Sequence, residues 1–180
     1  MAQIAIGDKA VGFELPCVAG GTVALTDFAD KTGLVIAFWC NHCPYVMAWE
    51  DRLIHLASEY GAKGIGFVAI CANDGTTYPQ DNFENMNRRA HDRQYSFCYA
   101  HDEGQNVARA YGAERTPEVF VFDHEHRLVY HGAVDDNHED PNAVIQHFLR
   151  DALDAVLVGQ EPLVQESHVV GCSIKWKGMI

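Results

Sequence analysis

Two cysteines three residues apart enclose Asn41 and His42 in the run Trp39-Cys40-Asn41-His42-Cys43-Pro44. Thiols at i and i+3 lie about one helical turn apart, so their sulfurs can reach each other. The run follows an apolar stretch and precedes a helical pattern. Cys40 is therefore expected at a helix start, where unpaired N–H groups and the dipole favour an anion. A protonated His42 adds a second positive contribution. Together these predict a lowered Cys40 pKa and a larger thiolate fraction. Pro44 suits a first helical turn, where its missing N–H costs little. Such a pair after a strand predicts thiol–disulfide exchange, the plain alternative being two core cysteines. In the exchange reading Cys40 is the exposed nucleophile and Cys43 the more buried thiol that releases the product. Asn41, His42 and Pro44 set the environment of the pair, and Trp39 supplies an apolar rim.

A second group is Arg115-Thr116-Pro117-Glu118, just before an apolar strand. A proline there is ordinary turn chemistry. Beside a Cys-x-x-Cys it gains a further meaning: a cis-proline loop would lie against the sulfurs, with Thr116 and Pro117 orienting a substrate chain. Cys172, in the tail Gly171-Cys172-Ser173-Ile174-Lys175-Trp176, is a candidate third thiol or metal ligand, or a small apolar anchor. Trp176 is expected to pack on the body and bring Cys172 to a buried or interfacial surface. Cys17, Cys71 and Cys98 lie on or beside apolar strands and read as buried structural cysteines. The acidic loop Asp135-Asp136-Asn137-His138-Glu139-Asp140 lacks regular calcium-loop spacing and reads as a solvated capping loop. No His-x-x-x-His with a nearby Glu suggests a zinc hydrolase.

The elements that must position these groups follow from hydrophobic periodicity. Residues 11–25 predict two short strands around a Gly-Gly turn. The run 33–39 is apolar throughout, as a strand covered on both faces should be. A helix is expected over 45–60, a buried strand over 66–71, and a helix over 81–93. A strand over 95–99, a helix over 105–111, a hairpin of 119–123 with 127–131, and a helix over 142–158 complete the pattern. Alternating strands and helices imply one α/β domain over 1–180. It has a central mixed sheet flanked by helices, an N-terminal β-hairpin extension (1–30) and a C-terminal tail (160–180).

Composition narrows the function. With 13 Lys+Arg against 25 Asp+Glu the net charge is −12, and no basic patch is visible. Nucleic acid and anionic membrane surfaces are therefore not expected partners. Six cysteines in 180 residues are too few for a disulfide scaffold. No basic segment precedes an apolar stretch at the N-terminus, so a cytoplasmic, reducing location is expected.

The chain resembles the thioredoxin superfamily in Trp39-Cys40-Asn41-His42-Cys43-Pro44 and Thr116-Pro117, with matching element order between them. Several further segments are similar to the peroxiredoxin-like thioredoxin proteins of bacteria. They are Ile6-Gly7-Asp8-Lys9-Ala10, Phe13-Glu14-Leu15, Tyr78-Pro79, Gly132 with Asp135-Asp136, and Gly171-Cys172-Ser173-Ile174-Lys175-Trp176-Lys177. The resemblance implies a thioredoxin-like fold and a thiol–disulfide oxidoreductase without a cofactor. Its partners would be a protein or small-molecule disulfide and a thiol reductant. Three departures stand out. The Thr that peroxiredoxins place three residues before their reactive cysteine would be Cys40 here, if Cys43 took that role. No acid lies in the strand 34–39, where thioredoxins bury an Asp. A His before the second Cys resembles disulfide isomerases and oxidases, and predicts a more oxidising couple. The alternatives are a thiol peroxidase with an antioxidant role, and a metal-binding or redox-sensing module built on Cys40, Cys43, His42 and Cys172.

Overall fold

The computed structural model describes residues 4–178. Its centre is the strand β3 (Gly33–Phe38), whose six residues are all buried. Leu34, Ile36 and Phe38 face one layer, while Val35 and Ala37 face the other. Two-sided burial is what an uninterrupted apolar run requires, because neither face can tolerate a polar side chain. On one side β3 pairs in parallel with β4 (Ile65–Cys71), and β4 in parallel with β5 (Cys98–His101). On the other it pairs antiparallel with β7 (Glu118–Asp123), which forms a hairpin with β8 (Leu128–Gly132). The strand order is β5-β4-β3-β7-β8, the mixed sheet expected from the alternating pattern.

Helices cover both faces. Helix α1 (Pro44–Gly61) buries Val46, Trp49, Leu53, Leu56, Ala57 and Tyr60, and α4 (Phe148–Leu157) buries Leu149, Ala152, Leu153 and Val156. With Met86 of α2 (Phe83–Asp92) they form one core layer. On the opposite face α3 (Asn106–Tyr111) packs with the hairpin β1 (Glu14–Pro16) and β2 (Thr22–Ala24). The chain after α4 returns to pair β9 (Cys172–Ser173) antiparallel with β6 (Arg115–Thr116). No helix among the described residues is long and apolar enough to cross a membrane.

Three expectations need correction. The helix expected over 142–158 begins only at Phe148. Pro141–Ala143 forms a single 3-10 turn, and the Asp136 carboxylate accepts the Ile145 N–H at 3.0 Å, which takes that donor away from a helical ladder. The acidic loop is only partly solvated. Asp135 is buried and accepts from Trp49 Nε1 at 2.8 Å and from the Arg52 guanidinium, so it ties the loop to α1. Cys17 and Cys98, 81 residues apart, are not free core thiols. They form a disulfide that staples the N-terminal hairpin to the edge strand β5.

Candidate active site

The Cys-x-x-Cys sits where β3 gives way to α1. The helix proper starts at Pro44, so Cys43, and not Cys40, occupies the N-cap position. The helix's unpaired N–H groups converge there and favour an anion on the Cys43 sulfur. Both thiols are enclosed, with Cys40 1% and Cys43 0% exposed. The expectation of an exposed Cys40 nucleophile is therefore not met.

The loop Thr116-Pro117 closes over the pair with a cis peptide bond. Thr116 touches both sulfurs, its Oγ1 lying 3.2 Å from Cys40 Sγ and its carbonyl oxygen 3.1 Å from Cys43 Sγ. Buried Glu118 braces this loop from behind. Its carboxylate accepts the N–H groups of Glu114 and Arg115, each at 2.9 Å, and pairs with His131 Nε2 at 2.7 Å. β9 lies on the other side of the loop, with Cys172 in register with Thr116. Gly171 presses on the Thr116–Pro117 peptide, where an added Cβ would come within 2.4 Å of the Thr116 carbonyl oxygen. Only glycine fits that approach. The Cys172 thiol and N–H favour an anion on Cys43. The expected docking of the tail is found: Ile174 is buried, and the Arg109 guanidinium stacks 4.4 Å from the Trp176 ring.

These contacts divide the charge unequally. The neighbouring Cys40 thiol, then Cys172 and the Val46 N–H, outweigh burial and hold the Cys43 thiol down at about 4. Cys40 is pushed up, first by its hydrogen bond to Cys43, then by burial and by the nearby Asp81 charge. The expectation that Cys40 carries the thiolate is thus reversed. The physical reason is that α1 begins at Pro44, so Cys43 rather than Cys40 meets its N-terminus. Cys172 is pushed up to about 11 by burial and by its contact with Cys43, with Lys175 and Arg115 opposing. Cys71 is fully enclosed and pushed up to about 12 by burial, as an inert core thiol should be.

Sequence reasoning missed Asp81. It lies in a 3-10 turn (Pro79–Asp81) and is fully buried. Its carboxylate accepts the Asn41 N–H at 2.6 Å and Asn73 Nδ2 at 2.8 Å, and pairs with His42 Nδ1. A buried acid thus stands beside the pair although β3 contains none. The adjacent Tyr78-Pro79 was a signal, but nothing in its spacing pointed to position 81. His42 turns its Nδ1 to Asp81 and stacks on Tyr78, so the ring is held by the carboxylate. Trp39 is not a rim: it is buried and donates to the Tyr95 hydroxyl at 3.2 Å. Asn41 is buried too, donating to the Gln80 carbonyl and accepting from the Tyr99 hydroxyl. Pro44 opens α1 on the surface, as expected.

A groove of about 450 Å³ runs beside the pair, lined by Asn41, His42, Met47, Gln80 and Arg88 among others. A larger cavity of about 670 Å³ lies along the middle of α1; neither is lined by a cysteine, but only the groove reaches Asn41 and His42, the two residues between the cysteines. Chemistry assigns the site to the former.

Residues 5–146 match the Redoxin family model. The chain belongs to the Redoxin family. The thiol-disulfide oxidoreductase ResA of Halalkalibacterium halodurans is 28% identical over 123 residues, covering 68% of this chain and 65% of its own length. This chain therefore spans less than two thirds of that relative. An uncharacterized conserved protein from Geobacillus kaustophilus is 40% identical with a TM-score of 0.92, covering 98% of this chain and 94% of its own. The thioredoxin domain of a thiol-disulfide oxidoreductase from Bacteroides vulgatus shares the fold at 17% identity. Its TM-score is 0.62, with 73% of this chain and 90% of its own covered. The Redoxin member described here thus has the thioredoxin-like α/β fold expected from Cys40–Pro44 and Thr116-Pro117.

Proposed function

We propose that this Redoxin protein is a thiol–disulfide oxidoreductase that works through Cys40 and Cys43, with Cys43 as the reactive thiolate. The observation that carries the reading is the convergence on Cys43 of Cys40, Cys172 and the N-terminus of α1. A thiolate attacks a disulfide sulfur in line and expels the other sulfur as an anion. Cys43 takes one sulfur of the substrate, and the departing thiolate takes a proton from water. Cys40 then gives up its proton, bonds to Cys43 Sγ and releases the second thiol. The substrate disulfide is reduced to two thiols and the pair is oxidised to a disulfide. Thr116 holds both sulfurs in place, and the groove beside His42 receives the rest of the substrate. Relatives that carry the oxidoreductase name support the reading.

The test is exchange of reduced protein with oxidised glutathione, followed by mapping of the product. A Cys40–Cys43 disulfide with release of two glutathione thiols supports the reading, and persistence of both free thiols refutes it. A second reading has an observation of its own. The Cys40 sulfur, a His42 nitrogen and an Asp81 oxygen all lie within 4.8 Å of one another, as ligands of a soft or borderline metal would. Metal content of protein purified under reducing conditions separates the two: a stoichiometric ion favours the metal module.

A further inference from the structure

We propose that the groove beside the cysteine pair selects disulfides that carry carboxylates near their sulfurs, and that Arg88, Arg89 and Arg93 make the selection. The inference rests on the reading of Cys40 and Cys43 as the exchanging pair, and it names the class of substrate that reaches them.

The chain as a whole repels anions, with 13 Lys+Arg against 25 Asp+Glu. The groove departs from that balance. Arg88, Arg89 and Arg93 line it, and Asp92 is the one acid among its lining residues. The same groove is lined by Asn41 and His42, the residues between the cysteines. A carboxylate held by the arginines therefore brings the rest of its molecule to the pair.

The three arginines come from one helix end. Arg88 and Arg89 lie on α2, and Arg93 is its C-cap. Arg89 and Arg93 are four residues apart and so share one face, which turns to α1. There the buried Glu50 receives both. Arg89 Nε and Nη2 each donate to its carboxylate at 2.8 Å, and Arg93 Nε lies 2.9 Å from it. The Tyr95 hydroxyl donates to the same carboxylate at 2.5 Å and accepts from Trp39, the neighbour of Cys40 in the chain. One acid holding two guanidiniums leaves a net positive charge, and it fixes the direction of both side chains at the groove wall. Arg93 also meets Asp51, but Asp51 is exposed, and a pair in water contributes little. Each guanidinium carries five N–H donors, so Glu50 does not exhaust them.

Arg88 differs from the other two. It takes no part in the Glu50 cluster. Its ion pair among the described residues is with Glu84 at 3.4 Å, and both side chains are exposed. Such a pair gives way easily to a carboxylate that can be gripped by two parallel N–H groups. Arg89 and Arg93 would serve equally as glue between α1 and α2. Arg88 has no such use, so it separates selection from glue.

The experiment mixes reduced full-length protein with oxidised glutathione, which has two carboxylates on each half, or with cystamine, which has an amine on each half and no carboxylate. The rate of Cys40–Cys43 disulfide formation is read by acid quench and mass spectrometry. Arg88→Glu should slow the reaction with oxidised glutathione and speed that with cystamine. The ratio of the two rates should fall at least about tenfold at low ionic strength, and by less in about 0.5 M salt. Arg88→Lys keeps the charge and should hold the ratio within about threefold of the wild type. If Arg88→Glu melts early, Arg88→Gln replaces it, with a fall of about threefold expected. A peptide disulfide flanked by glutamates is run beside oxidised glutathione. The one whose rate drops further in Arg88→Glu identifies the source as protein or small molecule. An unchanged ratio in a folded Arg88→Glu overturns the inference, and it leaves the oxidoreductase reading standing because the wild type still forms Cys40–Cys43. If the wild type forms that disulfide with none of the three substrates, both readings fall.

Discussion

The molecule holds two sets of cysteines, one at the edge strand β5 and one at the end of the central strand β3, and they have opposite fates. Cys17 and Cys98, far apart in sequence, are bonded and tie the hairpin β1-β2 to β5. Cys40 and Cys43, three residues apart, are free and share one helix start. The difference lies in what surrounds the sulfur. The staple has an isolated β-bridge from Cys17 to Ala100 beside it, and backbone bonds such as Val18 N–H to the Tyr99 carbonyl. Such contacts hold strands together and do nothing for a thiolate. Around Cys43, the start of α1 and the Cys40 and Cys172 thiols favour an anion on the sulfur, against the Thr116 carbonyl to which its own thiol donates. Proximity of two thiols allows a disulfide, but a stabilised anion is what makes one exchangeable.

The largest way to break this contrast is Cys43→Ser. It should lower exchange with oxidised glutathione by roughly 1,000-fold or more, because the nucleophile itself is lost. Cys17→Ser should leave that rate within about twofold and instead lower stability by about 2–4 kcal/mol under oxidising conditions. Paired melting and exchange assays separate the two, and the contrast fails if each variant loses both properties.

The third expectation concerns pH. An unfolded thiol titrates near 8.5, whereas folded Cys43 sits at about 4. A depressed pKa stabilises the fold fully above about pH 8.5, and that stabilisation is lost as pH falls toward 4. Cys40 is shifted the other way, and its contribution is lost only above about pH 8.5. The melting gap between the reduced protein and its Cys43→Ser variant should therefore widen from pH 4 to pH 8. A gap that narrows over that range contradicts the assignment. Glu118→Ala follows in size. It strips the acceptor from the Glu114 and Arg115 N–H groups and from His131, and should cost about 1–3 kcal/mol. It should also slow exchange through disorder at Thr116. His42→Ala is the smallest, because the His42 ring is directed to Asp81. The reduction potential should become more negative by no more than about 30 mV.

Much of this was legible in the sequence where one residue type has one use. The apolar run at Leu34–Trp39 placed β3, and Cys-x-x-Cys with Thr116-Pro117 placed the site on two segments. Trp176 and Ile174 revealed that the tail docks. What stayed hidden depends on contacts between distant segments. Asp81 acts through Asn41 and His42 some forty residues away, and no local pattern marks that. The Cys17–Cys98 bond depends on how the hairpin meets β5. The reversal of Cys40 and Cys43 turns on which of the two sulfurs meets the start of α1, and a cysteine pair read from spacing alone does not say that.

That reversal is the central claim, and selective alkylation tests it directly. Reduced protein is treated near pH 6 with less than one equivalent of iodoacetamide, and the labelled peptide is identified. The account expects label on Cys43, the one thiol of the site ionised at that pH. Label on Cys40 with Cys43 unmodified would contradict it.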